Sequence, residues 1–360
     1  MYLKVEISRH LVILLFVLIN TLASPGDGLD LDLNLKLEDG ILFSQFYDFA
    51  TKHGRQYLYN STELLSRFKV FKDSAKRAEL MNHPYGKDKK SGPVFGINKF
   101  ADLTPSEFKA KYLSGLKKMR PVLKFRNSMF TVGDFRPPVK MKSLPPSVDW
   151  RKKSVLSPVI DQKGCGACWA FSMVHTMEAM LVISNQTKSV DALSAQEVID
   201  CAEENNGCDG GDICDAAIWA QTHGIVPEKK YPLERRTGTC KKISEPTKRV
   251  KVADFRCEHL VGNENEILQT LAFHGPVMVV VDATTWHNYI GGIIRFHCSD
   301  DINHAVQIVG YNLEGEVPYY IVRNSWGSNF GDNGYLYLRI GNNLCGVANQ
   351  VVKLTVSTQV

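Results

Sequence analysis

Apolar positions along this chain follow two different periods. Between 63 and 82 (ELLSRFKVFKDSAKRAELMN), Leu64, Phe68, Phe71 and Ala75 recur at helical spacing and predict an amphipathic helix. The stretch 166–183 is apolar almost throughout and predicts a buried helix that opens at Cys168. Ser194-Ala-Gln-Glu197 has the pattern of a capping box and starts a second helix. A third is expected over 215–223, closed by Gly224. Beyond Val250 the period changes. The runs 277–282, 304–311, 319–323 and 335–340 are β-branched or aromatic, are bounded by Gly, Pro or Asn, and predict strands. Helices followed by strands predict an α+β chain of two lobes. A cleft between the lobes is the default place for chemistry.

The first 143 residues differ from the rest. Residues 10–19 read HLVILLFVLI after Lys4 and Arg9, with the small residues Ala23 and Ser24 behind them. That is the pattern of a secretory signal peptide over residues 1–23; a signal anchor is the alternative. A bilayer span needs about 20 apolar residues, so no membrane span is expected here or later in the chain. From 24 to 143 the chain is basic, free of cysteine and helix-rich in pattern, with loop or linker expected at 87–92 and 114–142, where Pro121, Pro137 and Pro138 fall. From Leu144 onward cysteine, tryptophan and glycine concentrate.

All nine cysteines lie between Cys165 and Cys345, and the odd count leaves at least one thiol unpaired. In the oxidising compartment implied by a signal peptide, such a cluster means disulfides. Asn60 and Asn185 head Asn-x-Ser/Thr triplets, compatible with glycosylation in the secretory pathway. The address expected from these features is the lysosome or the cell exterior. Charge is uneven: residues 1–143 carry 24 Lys and Arg against 14 Asp and Glu, whereas residues 144–360 carry 19 against 24. A basic tail often reads as a nucleic-acid or membrane binder. Here the +10 segment has a −5 segment in the same chain to meet, so no nucleic-acid partner is expected.

The chemistry concentrates in four places. Cys168, in Gln162-Lys-Gly-Cys-Gly-Ala-Cys-Trp-Ala-Phe-Ser172, sits where glycine-rich chain becomes an apolar helix. The partial positive charge of a helix N-terminus stabilises a thiolate, the reactive form of cysteine. His304 begins a strand and could hold the proton as imidazolium. Asn324, in Arg-Asn-Ser-Trp-Gly, could fix the tautomer of that ring. Gln162 could join the backbone N–H of Cys168 as an oxyanion hole. Each residue alone has a plainer reading: a packed or disulfide-bonded cysteine, a structural histidine, a turn asparagine, a surface glutamine. Gly210-Gly211 alone reads as a plain turn.

The combination resembles a known family. Cys-Gly-Ala-Cys-Trp-Ala-Phe-Ser, Asn-His-Ala-Val and Arg-Asn-Ser-Trp-Gly are similar to the three active-site blocks of the papain family of cysteine peptidases. Leu144-Pro-Pro-Ser-Val-Asp-Trp-Arg151 resembles its mature N-terminus, and Gly207-Cys-Asp-Gly-Gly211 its substrate-binding loop. Within the family, 281–294, 297–299 and 321–328 resemble one branch above others. The resemblance implies a two-lobed peptidase domain over 144–360, with a helical lobe and a β-barrel-like lobe, held inactive by a propeptide over 24–143. It implies Cys168 as nucleophile, His304 as general acid and base, Asn324 as orienter, Gln162 in the oxyanion hole and Trp326 shielding the Asn324–His304 bond. Gly210 and Gly211 would pair with an extended substrate. Asp212, Ile213, Val280, Ile302, Ala305 and Gln350 would line the pocket for the residue two before the cut, with a preference for medium apolar side chains. It implies the disulfides Cys165–Cys208, Cys201–Cys240 and Cys298–Cys345; Cys214 and Cys257 are outside the usual set, and a fourth bridge between them is left open.

In the N-terminal segment, Glu63, Arg67, Phe71 and Asn82 fall on the spacing of the inhibitory helix in many propeptides of the family, while Ser74 and Ala78 depart from it. Gly96-Ile-Asn98-Lys-Phe100-Ala-Asp102 is similar to the second propeptide motif. A separate helical domain with its own function is the alternative. The expected partners are polypeptide substrates, the chain's own propeptide and cystatin-type inhibitors, acting on a monomer once mature. Acid is expected to protonate carboxylates of the mature domain, loosen the basic propeptide and permit cleavage near 142–144. No cofactor or metal is expected, because no HExxH or paired ligand spacing occurs. Two rivals come from other classes. One is a silent inhibitory or binding protein on the same fold, which a lost Cys168, His304 or Asn324 would betray. The other is a zinc protein built on Cys165-x-x-Cys168, whose partner pair is missing. No extra loop plugs an end of the cleft, so an endopeptidase is expected over an exopeptidase.

Overall fold

A computed structural model describes residues 33–86, 94–113, 143–243 and 247–359. The signal-peptide expectation and the linker 114–142 lie outside them. The N-terminal segment holds α1 (Leu33–Lys52), α2 (Ser61–Asn82) and α3 (Pro105–Tyr112). Asn60 caps α2 by accepting the N–H of Glu63, and Thr104 and Glu107 close a full capping box on α3. Phe43, Phe46 and Phe49 of α1 pack with Phe68 and Phe71 of α2 in a small core of their own.

The remainder holds β1 (Ser147–Asp149), α4 (Cys168–Ile183), α5 (Ala195–Cys201), α6 (Ile213–His223), β2 (Arg249–Glu258), α7 (Glu264–Phe273), β3 (Val277–Val281), β4 (Ile293–Ile294), β5 (His304–Asn312), β6 (Tyr319–Arg323), β7 (Tyr335–Arg339) and β8 (Val351–Gln359). The sheet runs β2-β8-β3-β5-β6-β7-β4, with β1 added on β5. Its pairs are antiparallel except β4 with β7.

Two cores meet at β3, which is buried along its whole length. Because side chains alternate across a strand, Val277, Val279 and Val281 enter one core while Met278 and Val280 enter the other. The division into helical and β lobes is therefore less clean than the sequence pattern predicts. Val250, Val252, Val352, Leu354 and Val356 of β2 and β8 pack on α4 and α6 in the helical lobe, while Ile267, Leu268 and Leu271 of α7 belong to the barrel lobe. The capping box at Ser194 is half present. Ser194 Oγ accepts the N–H of Glu197 at 2.9 Å, but the Glu197 carboxylate turns away to the N–H of Val226 and to Arg249, each at 2.9 Å. A buried tertiary ion pair outcompetes the local bond.

The structure pairs Cys165 with Cys208, Cys201 with Cys240, Cys298 with Cys345 and Cys214 with Cys257. Cys168 is the free thiol.

Candidate active site

Cys168 is the first residue of α4, whose sixteen residues include fourteen buried ones. Such a helix is fixed by its surroundings, which makes its N-terminus a rigid platform. The residue before it, Ala167, offers no side-chain cap. Ser, Thr or Asp there would satisfy an open N–H of the first turn; alanine leaves those donors free for a ligand. The preceding loop is tied down twice, by the Cys165–Cys208 bridge and by the Gly166 N–H donating to Cys208 O at 2.8 Å.

His304 enters from the other lobe as the first residue of β5. The thiol of Cys168 accepts the N–H of the next residue, Ala305, at 3.4 Å. His304 Nε2 lies 2.8 Å from Asn324 Oδ1, which can only accept, so Nε2 carries the proton and Nδ1 keeps its lone pair. Nδ1 has no hydrogen-bond partner among the described residues. Trp326 lies over the imidazole, ring centroids 4.8 Å apart and planes 29° apart, and covers the His304–Asn324 bond. Trp286 meets the same ring edge-on at 6.2 Å.

Gln162 is fully buried. Its Nε2 donates to Cys165 O at 3.1 Å, its Oε1 accepts from Ser325 Oγ, and its N–H donates to Ser325 O at 2.8 Å. One amide hydrogen of Gln162 remains for the cleft. Sequence reasoning passes over Ser325 and Trp286, although Ser325 stands inside the Arg-Asn-Ser-Trp-Gly block.

The cleft is closed. Cys168 and His304 are both buried, and the N-terminal segment packs on the neighbouring Trp326. Phe100 and Phe108 pack edge-on against Trp326 at 5.6 and 5.3 Å. Lys99 reaches in between them, donating to Trp326 O and pairing with Asp161 at 2.8 Å. Burial pushes the Cys168 thiol up to about 11 and the His304 imidazole down to about 4. In this closed state burial opposes charge on either group taken singly.

Ile213, Val280 and Ala305 share one apolar cluster with Cys168, and Ile302 packs against it. At its polar edge Gln350 Nε2 donates to Asp212 Oδ2 at 2.9 Å, while Asp212 Oδ1 caps α6 through the N–H groups of Cys214 and Asp215. Gly210 has φ +120°, open to glycine, and its carbonyl accepts the N–H of Asn206 at 2.9 Å. A Cβ at Gly211 would lie 2.7 Å from the Trp169 ring. The need for glycine at 211 thus comes from the protein interior as well as from an approaching strand. Asn60 and Asn185 are both exposed. Among the described residues no cluster of His, Cys, Asp or Glu could hold a metal, and no helix is long and apolar enough to cross a membrane.

Residues 144–355 match the family described as papain family cysteine protease, and 46–108 match the cathepsin propeptide inhibitor domain. Cathepsin O of Mus musculus is 39% identical over 289 residues, 79% of this chain and 89% of that protein. Cathepsin O of Homo sapiens is 38% identical, over 80% and 87%; cathepsin O is the branch that 281–294 and 321–328 resemble. Among solved structures, the digestive procathepsin L2 proteinase of Tenebrio molitor larval midgut superposes with a TM-score of 0.75 at 31% identity, covering 87% of this chain and 99% of its own. The ragweed pollen allergen Amb a 11 cysteine protease, in its proform, gives 0.72 at 29%, covering 90% and 97%. A helix-borne free thiol, a strand-borne histidine, a covering N-terminal segment and both family matches lead to one conclusion: this chain belongs to the papain family of cysteine proteases and carries that family's inhibitor propeptide.

Proposed function

We propose that this protein is a secreted or lysosomal endopeptidase, made as a zymogen, in which Cys168 attacks the peptide carbonyl and His304 manages the proton. The observation that carries the reading is a free thiol at the uncapped N-terminus of α4 that accepts the N–H of Ala305, next in the chain to a histidine whose Nε2 is bound to Asn324 and whose Nδ1 lone pair is open. When the propeptide leaves, water returns to the cleft and can solvate charge on both groups. The thiol proton then moves to His304 Nδ1, and the thiolate is stabilised by the first-turn N–H groups of α4. The thiolate adds to the carbonyl carbon, and the oxyanion lies between the Cys168 N–H and the free amide hydrogen of Gln162. His304 gives its proton to the leaving amine as the oxyanion collapses and the C–N bond breaks, leaving the acyl group on the Cys168 sulfur as a thioester. It then takes a proton from water, whose oxygen releases the acyl group and returns the thiol.

Gly211 is the chief backbone partner for the substrate, since the Gly210 carbonyl already serves Asn206. The pocket of Ile213, Val280, Ile302 and Ala305, closed by the Gln350–Asp212 bond, suits a medium apolar side chain. A positional peptide library that returned a strict acidic preference at that position would remove this assignment. Residues 1–23 are read as the signal peptide, 24–143 as the propeptide and 144–360 as the mature monomer, open to cystatin-type inhibitors; the chain is glycosylated at Asn60 and Asn185.

The direct test is acid treatment of the purified precursor followed by labelling with an epoxide thiol probe and assay on a peptide substrate. Label should fall on Cys168, and Cys168→Ala should lose label and hydrolysis together, by a factor on the order of 10⁶ in kcat. Equal hydrolysis by Cys168→Ala would favour the other reading, a silent papain-fold protein with a contaminating activity.

A further inference from the structure

His287 lies on the turn Thr284–Asn288 and is 3% exposed. Three pieces of the propeptide close on its ring. Its Nε2 is 2.9 Å from the carbonyl of Phe100, an acceptor, so Nε2 must carry a proton. Its Nδ1 is 3.4 Å from Nη2 of Arg77 on α2, a donor, so Nδ1 must carry a lone pair. Phe108 of α3 stacks on it, ring centroids 4.5 Å apart and planes 5° apart. Arg77 cannot easily swing aside, because its Nε also donates to Asn288 Oδ1 at 2.9 Å.

We propose that His287 is an acid-sensitive latch on the propeptide: the neutral imidazole docks it, and a proton at Nδ1 expels it. That proton would set an N–H against a guanidinium N–H and a positive charge against a positive charge, in a site with little water to screen them. The charged groups on the elements around the ring do not compensate. Lys99 is paired with Asp161, Asp102 with Arg55, Glu107 with Arg67, and Asp73 of α2 acts on Arg77 instead. The other histidine on this interface behaves differently. His297 Nε2 lies 2.8 Å from Met81 O, and a nitrogen that donates to a carbonyl does so whether or not its ring is charged.

The pH window follows from the two states of the ring. In the docked form, burial and then Arg77 hold its pKa down at about 4. With the propeptide gone, the ring returns toward the ordinary value of about 6.5. The undocked form therefore binds the proton more tightly. Docking is unaffected above about pH 6.5 and weakens as pH falls toward 4, by roughly 10²-fold in all. This goes beyond the proposed activity, and rests on it only in that undocking is what uncovers Cys168.

The test uses the full-length chain with Cys168→Ala, which cannot cut itself, and reads backbone hydrogen exchange over 94–108 from pH 7 to pH 4, corrected for intrinsic rates. Protection should fall about 10²-fold further in this parent than in its His287→Gln derivative, whose amide can still donate to Phe100 O but does not titrate. His297→Gln should follow the parent. Protection that falls equally in parent and His287→Gln overturns the proposal. Should His287→Gln pack poorly, Arg77→Gln decides the same question: a shallower fall with pH supports the latch, and an unchanged one overturns it. Because the readout uses no activity, its failure is separate from that of the peptidase reading, which would show as no hydrolysis at any pH by the chain with Cys168 intact.

Discussion

The two lobes of the peptidase domain are finished in different ways. Among the described residues the helical lobe closes its core without a propeptide side chain and is stapled by Cys165–Cys208, Cys201–Cys240 and Cys214–Cys257. The barrel lobe has one bridge, Cys298–Cys345, and borrows Phe95, Phe100, Phe108 and Leu113 from the propeptide to complete the core that backs His304. Among the described residues the apolar contacts of the propeptide therefore fall on one side. The described propeptide aromatics Phe95, Phe100 and Phe108 are held as part of the barrel lobe's apolar core. A device that loosens the propeptide should act on the barrel lobe, where His287 and Asn288 stand.

Removing an aromatic shared by propeptide and barrel should break this comparison most. Phe100→Ala is expected to cost about 3–5 kcal/mol of propeptide docking. In a Cys168→Ala background, calorimetry should show the propeptide coming off well below the melting of the peptidase domain, whose own transition stays in place. A single transition shifted as a whole would mean that propeptide and barrel unfold as one unit. The next effect belongs to the helical lobe. Cys214→Ser with Cys257→Ser should cost about 2–4 kcal/mol in urea unfolding of the mature enzyme, since the bridge spans 43 residues. In the Cys168→Ala precursor carrying the same pair of changes, exchange protection of 94–108 on the barrel side should not change. The smallest effect tests a bond across the cleft. Ser325→Ala frees the Gln162 amide that Ser325 Oγ holds, and a typical hydrogen bond is worth about 1 kcal/mol. A fall of about fivefold in kcat with KM unchanged is expected. A loss confined to KM would assign Ser325 to substrate binding instead.

The legible and illegible parts of the molecule differ by the range of the forces involved. The helix at 166–183 is readable because nearly every side chain is apolar, and β6 is readable to the residue, as 319–323. The helix Glu264–Phe273 does not stand out in the sequence, because Ile267, Leu268 and Leu271 make barely two turns of pattern. The strand Val351–Gln359 escapes notice although Val352, Leu354 and Val356 alternate toward the helical core, since a polar-faced strand at a chain end looks like a tail until β2 and β3 lie beside it. Glu197 fits a capping motif locally and is taken by Arg249 in the fold.

Taken alone, the order of residues determined most of the elements, a cysteine at a helix start, the histidine and asparagine blocks, and the division into a cysteine-free basic segment and a cysteine-rich domain. Those are properties of neighbours in the chain, set by periodicity, capping and local charge. Tertiary structure decided the rest: that Cys214 bonds Cys257, that Gly211 backs onto Trp169, that burial works against charge on Cys168 and His304, and that His287 faces Arg77 from 210 positions away. Proton affinity depends on how much water and which charges surround a group, and no spacing along a chain reports that until distant segments close over it.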